Sequence, residues 1–381
     1  MKPQDIHILH LSDLHFEKKV SRPIFELVLR DIVSCLEKRA QRLVVVVTGD
    51  LVSQAAFADN ADNVVAFFKR LRELLPNLSF DLVEIVPGNH DFERPKIKND
   101  FNDKTYAPKR DEFNEMRDRI YSQMRVEKKE STGVSCIEYC GNKICFVRVD
   151  TSAILSKVEL RDEIQDEIKK YKIKKFNKKQ VEEVVDKRFD KIGADIERQK
   201  GVVVREYAAV AKKCPTGKPL LTIAISHYPL SWLNESGHEK LRETLFAKGL
   251  DFVDMWLCGH LHDAQLYYTN DNGRQTTVLM SGIGRDENPQ DLLRYSIYTI
   301  SPLRNACSVQ IRAFQGCLLD ERQCRNVTLP LVSKEVGAII PMNQREQEPL
   351  LGCFVDKPTI DLLNAVSKRL LSFEVIAKPR R

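Results

Sequence analysis

Five short clusters of aspartate, histidine and asparagine could bind metal ions, because each directly follows an apolar run that predicts a β-strand. In chain order they are Asp13-Leu14-His15, Gly49-Asp50, Gly88-Asn89-His90-Asp91, Ser226-His227 and Gly259-His260-Leu261-His262. A single histidine after a strand is more often a surface or capping residue, so each cluster alone is a weak signal. Ligands of open α/β sheets bind beyond the carboxyl ends of the strands, and the five clusters together therefore predict one shared site.

The donor atoms of these clusters are imidazole nitrogens and carboxylate or amide oxygens, without a thiolate. Such a set suits Mn, Fe, Zn, Ni or Co. In a D-x-H triplet the side chains at i and i+2 point the same way if the extended geometry of the strand persists. The glycines of the other clusters permit tight turns that let the backbone approach an ion closely. The sequence thus indicates a transition-metal site built from loops at strand ends.

The elements that must position these clusters alternate in the first part of the chain. Apolar runs predict strands at residues 6–11, 43–47 and 82–86, and apolar residues at helical spacing lie between them. The first helix follows Ser21, with Pro23 near its start, and the second stops at Pro76. This β-α-β-α-β order predicts a central sheet with helices packed on it.

Later strands complete an α/β sandwich in this interpretation. Residues 134–139 and 144–149 flank a four-residue turn and predict a hairpin. Residues 220–225, 252–257 and 276–280 predict further core strands. Residues 295–300 and 308–314 then suggest a second sheet with antiparallel edges, and two sheets with outer helices make the sandwich.

Two polar segments look inserted into this plan, and the end of the chain has a different texture. Residues 95–130 contain a helical stretch near 110–124, and residues 156–200 hold 14 Lys/Arg and 11 Asp/Glu with two helical apolar patterns. We predict a cap at the first and a projecting helical hairpin at the second. The predicted catalytic domain spans residues 1–315, and residues 316–381 form a C-terminal extension with an amphipathic helix near 358–372.

The order D-x-H, G-D, G-N-H-D, H, G-H-x-H resembles the calcineurin-like metallophosphoesterase family, and it covers roughly residues 5–265. The resemblance implies a four-layer α/β/β/α sandwich with helical insertions. It also implies two divalent metal ions, which in such sites lie about 3.5–4 Å apart and clamp the attacking and leaving oxygens of an in-line displacement.

The resemblance also implies a role for each residue of the motifs. Asp13, His15 and His262 would bind the first metal ion, Asn89, His227 and His260 the second, and Asp50 would bridge both. His90 would lie near the substrate phosphate and protonate the leaving oxygen, a role that suits a side chain titrating near neutral pH. Asp91 would orient His90.

Three residues outside the metal set are candidates for substrate contacts. Arg285 follows a glycine-containing loop and could contact a phosphate, although a loop arginine without function is equally compatible with the pattern. His238 could overhang the site, and Tyr228 could stack on a base or simply pack its own loop. Residues 169–179 hold seven lysines, which favours a solvated helix surface over a phosphate-steering arm because acidic residues lie nearby.

Composition limits the class of protein. The chain has 381 residues, 43% of them hydrophobic, with a formal net charge of +6; this charge is weak support for nucleic-acid binding. The N-terminus lacks the pattern of a secretory signal, no apolar run reaches the roughly 20 residues that span a bilayer, and no C-x-x-C pair occurs among the ten cysteines. We expect a cytoplasmic protein with reduced, mostly buried thiols, and no membrane partner.

The predicted activity is hydrolysis of a phosphodiester in a nucleotide or nucleic acid by metal-activated water, and a nuclease stays open. A phosphomonoesterase or protein phosphatase is the alternative, since the metal chemistry is nearly the same. A non-catalytic scaffold is the third reading, disfavoured because every ligand and His90 are retained. The C-terminal extension could contact a protein partner or a second copy, and similar domains with such insertions look like effectors in microbial conflict systems.

Overall fold

The structure is a computed structural model that describes residues 5–16, 22–37, 42–53, 57–92, 110–155, 157–170, 177–229, 253–261, 265–271, 274–281, 292–301, 306–315, 318–319 and 324–330. Five helices lie in these ranges: α1 Arg22–Leu36, α2 Phe57–Leu74, α3 Asp111–Met124, α4 Lys157–Lys170 and α5 Lys178–Ala211. None of these described helices is long and apolar enough to cross a membrane.

The described strands number thirteen: β1 Ile6–Leu11, β2 Arg42–Thr48, β3 Ser79–Val86, β4 Gly133–Tyr139, β5 Asn142–Arg148, β6 Leu221–Ile225, β7 Met255–Cys258, β8 Gln265–Asp271, β9 Arg274–Met280, β10 Leu292–Ser301, β11 Ala306–Gln315, β12 Leu318–Leu319 and β13 Arg325–Pro330. They form two sheets. The first has the order β12-β11-β10-β1-β2-β3, with β13 also paired to β11, and the second has the order β4-β5-β6-β7-β9-β8.

Both sheets have a parallel centre. In the first, β1, β2 and β3 run parallel, and in the second β5, β6, β7 and β9 do so. Parallel strands are buried on both faces and carry continuous apolar runs. In β2, Val45 and Val47 face the outer helices, whereas Val44 and Val46 face the second sheet. The carboxyl ends of the parallel strands are therefore fixed from both sides.

The layers follow the four-layer α/β/β/α arrangement that the sequence predicts. The three helices α1, α2 and α3 cover the outer face of the first sheet, and α4 and α5 cover the outer face of the second. A third apolar cluster fills the space between the sheets. Helix α5 begins with a capping box, in which Asn177 and Gln180 each bind the backbone amide of the other.

The structure corrects the predicted sheet membership of the last two strands. Strands β10 and β11 extend the first sheet, because β10 pairs antiparallel with β1 along residues 296–300, and they do not belong to a separate sheet. The hairpin β4–β5 forms the edge of the second sheet instead. Apolar alternation is the same in either position, since both sheets bury one face against the same central layer.

The inserted segments also lie differently from the expectation. Helix α3, which covers the helical part of 95–130, buries Phe113, Met116 and Ile120 against the helices of the first sheet, so this part belongs to the outer layer and is not a separate cap. Helices α4 and α5 contact each other, and α5 continues to Ala211 and packs on the second sheet.

The first sheet continues beyond the predicted domain boundary at residue 315. Strand β13 pairs with β11 along residues 306–311, so the sheet runs on to Pro330. The predicted amphipathic helix near 358–372 lies outside the described residues.

Candidate metal centre

Three side chains of ligand type meet where β1 and β2 end. The amide of Asp13 donates to the Gly49 carbonyl over 2.9 Å, and the amide of His15 donates to the Asp50 carbonyl over 2.9 Å. These bonds hold the two loops side by side. The ligand atoms of Asp13, His15 and Asp50 all lie within 4.8 Å of one another, and all three residues are buried. Two of the five sequence clusters therefore form one group.

The backbone at this edge adopts the left-handed region at residues other than glycine. The φ angles are +53° at Asp13, +42° at His15, +52° at Asp50 and +74° at His260. Such conformations cost about 1–3 kcal/mol each and persist only where the surroundings impose them. Four of the six such residues in the described chain lie at this edge, which marks it as a place where side-chain placement outweighs backbone preference.

Glycine is required where these loops touch. A Cβ atom at Gly88 would lie 2.0 Å from Asp50 Oδ1, and one at Gly259 would lie 1.8 Å from Ser12 Oγ and 2.8 Å from Asp13 Oδ2. Any larger residue would push these side chains away. The glycines of the G-N-H-D and G-H-x-H clusters thus allow the loops after β3 and β7 to close on the carboxylates of Asp50 and Asp13, respectively.

His227 is oriented so that one ring nitrogen faces this group. Its Nδ1 lies 2.7 Å from the Thr48 carbonyl oxygen, which only accepts, so Nδ1 carries the proton. Its Nε2 then offers a lone pair 2.9 Å from Asn89 Oδ1 and 3.4 Å from Asp50 Oδ2. Metal-binding histidines commonly donate their other N–H to a backbone carbonyl in this way. A cation among these three electron-rich atoms would be stabilised by all of them.

His260 joins the group through its backbone and its ring. Its amide lies 3.2 Å from both carboxylate oxygens of Asp13. Its ring stands edge-on to Tyr228, with centroids 4.4 Å apart, and 5.2 Å from the ring of His227. The second histidine of this motif, His262, lies outside the described residues.

His90 lies on the partly exposed side of the group. Its amide donates to Asp50 Oδ1 over 2.8 Å, and its ring is 5.1 Å from the ring of His15 in an edge-on arrangement. Asn89 and His90 are both half-buried. The ring of His90 therefore lies beside that of His15, on a residue that is only partly enclosed.

Asp91 makes different contacts from those that the resemblance implies. Its Oδ1 accepts from the amides of Leu51 and Val52 over 2.8 and 3.2 Å, and its Oδ2 accepts from the amide of Gly88 over 2.9 Å. Burial, and then the charge of Asp50, raises the pKa of this carboxyl well above its usual range. In the described contacts Asp91 ties two ligand loops together through their backbones, instead of orienting the ring of His90.

The candidate substrate contacts fall mostly outside the described chain. Arg285 and His238 lie there. Tyr228 is described and is 2% exposed, with its ring against His260. This burial favours the reading in which Tyr228 packs its own loop over the one in which it stacks on a base.

Two residues of this edge were not predicted as functional. His10 bonds Tyr298 Oη through Nδ1 and Thr48 Oγ1 through Nε2, both over 2.9 Å, and Thr48 is the residue whose carbonyl orients His227. Burial lowers the pKa of His10 to about 3, so its ring is neutral. A histidine inside an otherwise apolar strand is the signal that the sequence offers for His10.

A comparison of the sequence with protein-family models identifies the family to which this site belongs. The model described as calcineurin-like phosphoesterase matches residues 6–264. The chain belongs to the calcineurin-like phosphoesterase family. Membership indicates a phosphoric ester hydrolase, and the Asp13, His15 and Asp50 group is a candidate position for the divalent metal ions that such a hydrolase uses.

Solved structures related to the chain are distant in sequence. A Vps29 single mutant from Entamoeba histolytica is 12% identical, with 85% of this chain and 99% of that chain covered and a TM-score of 0.31. GAP50, the anchor in the inner membrane complex of Plasmodium, is 12% identical, with 95% of each chain covered and a TM-score of 0.38. A cold-active protein-tyrosine phosphatase of a psychrophilic Shewanella species is 12% identical, with 84% and 82% covered and a TM-score of 0.27. No curated protein matches the sequence significantly.

The residues of the site fit divalent metal ions. Their donors are nitrogen and oxygen, as first-row metals such as Mn, Fe, Zn, Ni and Co accept. Burial, and then the charge of Asp50, raises the pKa of Asp13 well above its usual range. A cation beside these two carboxylates would offset both effects, so the energetics and the donor set favour the same occupant.

Proposed function

We propose that this chain hydrolyses a phosphodiester in a nucleotide or nucleic acid with two divalent metal ions. Asp13, His15 and His262 would hold the first ion and Asn89, His227 and His260 the second, with Asp50 shared between them. The observation that carries the proposal is the convergence of Asp50 with His15 and with Nε2 of His227, at 3.9 and 3.4 Å. One carboxylate thus faces an imidazole from each of the two sheets.

The protein's own residues would do the following work. Asp13 and Asp50 would bind the cations as carboxylates. The hydrogen bond from Nδ1–H of His227 to the Thr48 carbonyl would keep the proton on Nδ1 and leave Nε2 available as a ligand. Bound divalent cations would neutralise charge on the phosphoryl oxygens and activate water for attack. His90, half-buried beside Asp50, would give a proton to the leaving oxygen.

The substrate class is tested with two chromogenic esters on the same metal-loaded protein. We expect a higher kcat/KM for bis-p-nitrophenyl phosphate than for p-nitrophenyl phosphate, with each of Mn, Fe, Zn, Ni and Co supplied in turn. The reverse preference would assign a phosphomonoesterase. Cleavage of labelled DNA or RNA would place the activity with nucleases, and cleavage of nucleotide diesters alone would exclude a nuclease.

The role of His90 is tested by His90→Ala. A positioned proton donor contributes about 10²–10⁴-fold to the rate, so kcat for a diester with an alkoxide leaving group should fall by that factor while the metal content stays unchanged. His90→Ala should lose less when the leaving group is a weakly basic nitrophenolate than when it is an alkoxide, because only the alkoxide needs the proton. A variant with full activity on both esters would remove His90 from the mechanism.

A further inference from the structure

We propose that Thr151 is a positioning residue for the metal ligand His227, and that Gln199 fixes Thr151 from helix α5. The inference rests on the proposed metal site and adds residues that none of the motifs contains. Its centre is the segment of residues 150–152, which follows β5 after Val149 and is called here the 150–152 loop. All three of its residues are buried.

Thr151 holds the backbone of the loop that carries His227. Its Oγ1 accepts from the amide of Tyr228 over 2.9 Å, and that amide belongs to the peptide unit that follows His227. The carbonyl of His227, in the same peptide unit, accepts from the amide of Gly259 over 2.9 Å. Both polar groups of this peptide are thus fixed, and the ring is then oriented by Thr48. Loss of the Thr151 hydroxyl would leave a buried amide without its acceptor and release one side of the peptide.

The side-chain amide of Gln199 pairs with the backbone of the 150–152 loop, as the peptide groups of a neighbouring β-strand do. Its Oε1 accepts from the amide of Asp150 over 2.9 Å, and its Nε2 donates to the carbonyl of Asp150 over 2.9 Å. Oε1 also accepts from Thr132 Oγ1 over 2.8 Å. Gln199 is 3% exposed and lies in the middle of a long helix, where a buried polar side chain needs hydrogen-bond partners. Its amide group finds them in the backbone N–H and C=O of one loop residue, Asp150.

The side chain of Asp150 connects the same loop to the start of α3. Its Oδ1 accepts from the amide and hydroxyl of Ser152 over 3.1 and 2.5 Å. Its Oδ2 lies 3.0 Å from Nη2 of Arg110, the residue that precedes α3. Both segments that look inserted in the sequence, 95–130 through Arg110 and 156–200 through Gln199, therefore meet at the loop that supports His227.

The test compares two buried threonines that undergo the same chemical change. Thr151→Val removes the hydroxyl that faces Tyr228, and Thr222→Val removes a hydroxyl that lies 3.2 Å from Tyr207 Oη near the amino end of β6. The two residues are 0% and 1% exposed. Affinity for Zn²⁺ and Mn²⁺ is measured by titration calorimetry on the full chain, together with the thermal unfolding temperature without metal.

We expect Thr151→Val to weaken one of the two metal-binding steps by about 10- to 100-fold, the range known for residues that support metal ligands. Thr151→Ser, which keeps the hydroxyl, should restore the affinity, and Thr222→Val should bind as the wild type does. Gln199→Leu should weaken the same step, whereas Val203→Ala, one turn further along α5 and fully buried, should lower the unfolding temperature without changing metal affinity.

Three results would overturn the inference. The first is wild-type metal affinity in Thr151→Val, the second is an equal loss in Thr222→Val, and the third is failure of Thr151→Ser to restore binding. Because the measurement is metal affinity, a wild type that binds two ions without hydrolysing any ester would end the proposed function and leave this inference standing. A wild type that binds neither Zn²⁺ nor Mn²⁺ would overturn both.

Discussion

Two groups of buried charged residues in this molecule differ in the partner that each carboxylate meets. At the candidate metal centre, Asp50 faces the imidazoles of His15 and His227. Between β3, β4, β5 and α3, Glu84 forms an ion pair with Arg148, which also donates to Ser135 Oγ over 2.6 Å. Glu84 is 0% exposed and Arg148 is 3% exposed, so both groups are equally removed from water.

The difference between the two groups indicates which of them is suited to binding a cation. A guanidinium is always charged and cannot bind a metal ion, so Arg148 supplies a permanent positive charge and closes its group. A neutral imidazole keeps a lone pair for a cation. Burial alone therefore does not identify a functional site, whereas the chemistry of the residues that surround a buried carboxylate does.

The largest expected effect comes from Asp50→Asn, which removes the carboxylate that both imidazoles face. Loss of residues that only support ligands costs about 10- to 100-fold in metal affinity, so loss of this ligand should cost at least as much and abolish turnover. Without metal, the variant should be no less stable than the wild type, because the charge of Asp50 is one of the causes that raise the pKa of Asp13.

Metal content by elemental analysis and thermal unfolding with and without Zn²⁺ measure both effects of Asp50→Asn. Asp166→Asn, at an aspartate whose side chain is 78% exposed, is the control. Retention of both ions by the Asp50 variant would show that the comparison of the two groups is mistaken.

The second prediction concerns the closed group. Glu84→Ala leaves Arg148 buried without its carboxylate, which typically costs about 3–5 kcal/mol of unfolding free energy. Metal affinity of the folded variant should stay at the wild-type value, in contrast to Asp50→Asn. Urea denaturation gives the stability.

Glu138→Ala serves as the matched control for Glu84→Ala. It removes an acid that is 71% exposed and pairs with Lys143, and such exposed pairs contribute about 0–1 kcal/mol. Equal losses in the two variants would mean that burial of the Glu84 pair has no energetic consequence.

The smallest effect is a pH dependence from His10, which is buried and neutral in the folded chain. Its pKa falls from 6.5 in the ordinary state to about 3 on folding. Between these values the unfolded chain binds a proton that the folded chain does not, so acid favours unfolding. The stability that the folded protein gains from a neutral His10 is fully present above pH 6.5. It decreases as the pH falls toward 3, by about 1.4 kcal/mol of unfolding free energy per pH unit.

Urea denaturation of the wild type and of His10→Asn between pH 4.5 and 7 compares the two slopes. The unfolding free energy of the variant should change less steeply with pH than that of the wild type. The difference in slope should be about 1.4 kcal/mol per pH unit, which corresponds to one proton bound on unfolding. Parallel slopes would mean that His10 takes up a proton in the folded protein as readily as in the unfolded one.

The sequence predicted the strands well and their long-range partners poorly. Residues 6–11 and 43–47 were recognised because a strand buried on both faces needs a continuous apolar run. Strand β8, with Gln265 and two tyrosines followed by polar residues, has no such run and was missed. The pairing of β10 with β1 could not be predicted, because it joins residues nearly 300 positions apart and leaves no local pattern.

The motif residues came from the sequence, but their supports did not. Asp13, Asp50 and His227 stand in short recognisable clusters at strand ends. Thr151 and Gln199 act through single hydrogen bonds across the fold, and a threonine after a strand or a glutamine in a helix has no distinctive spacing. The position of Asp91 was known from its motif, yet its contacts with backbone amides depend on how three loops meet.

The left-handed backbone at Asp13, His15, Asp50 and His260 also bears on attempts to make this protein more robust. Glycine adopts such angles without the steric cost that other residues bear, so a screen that rewards thermal tolerance alone would select glycine at these four positions. Heat-resistant variants found there would be expected to lack the side chains that are candidates for metal binding. Directed evolution of this chain should therefore keep the four residues unchanged and vary other positions.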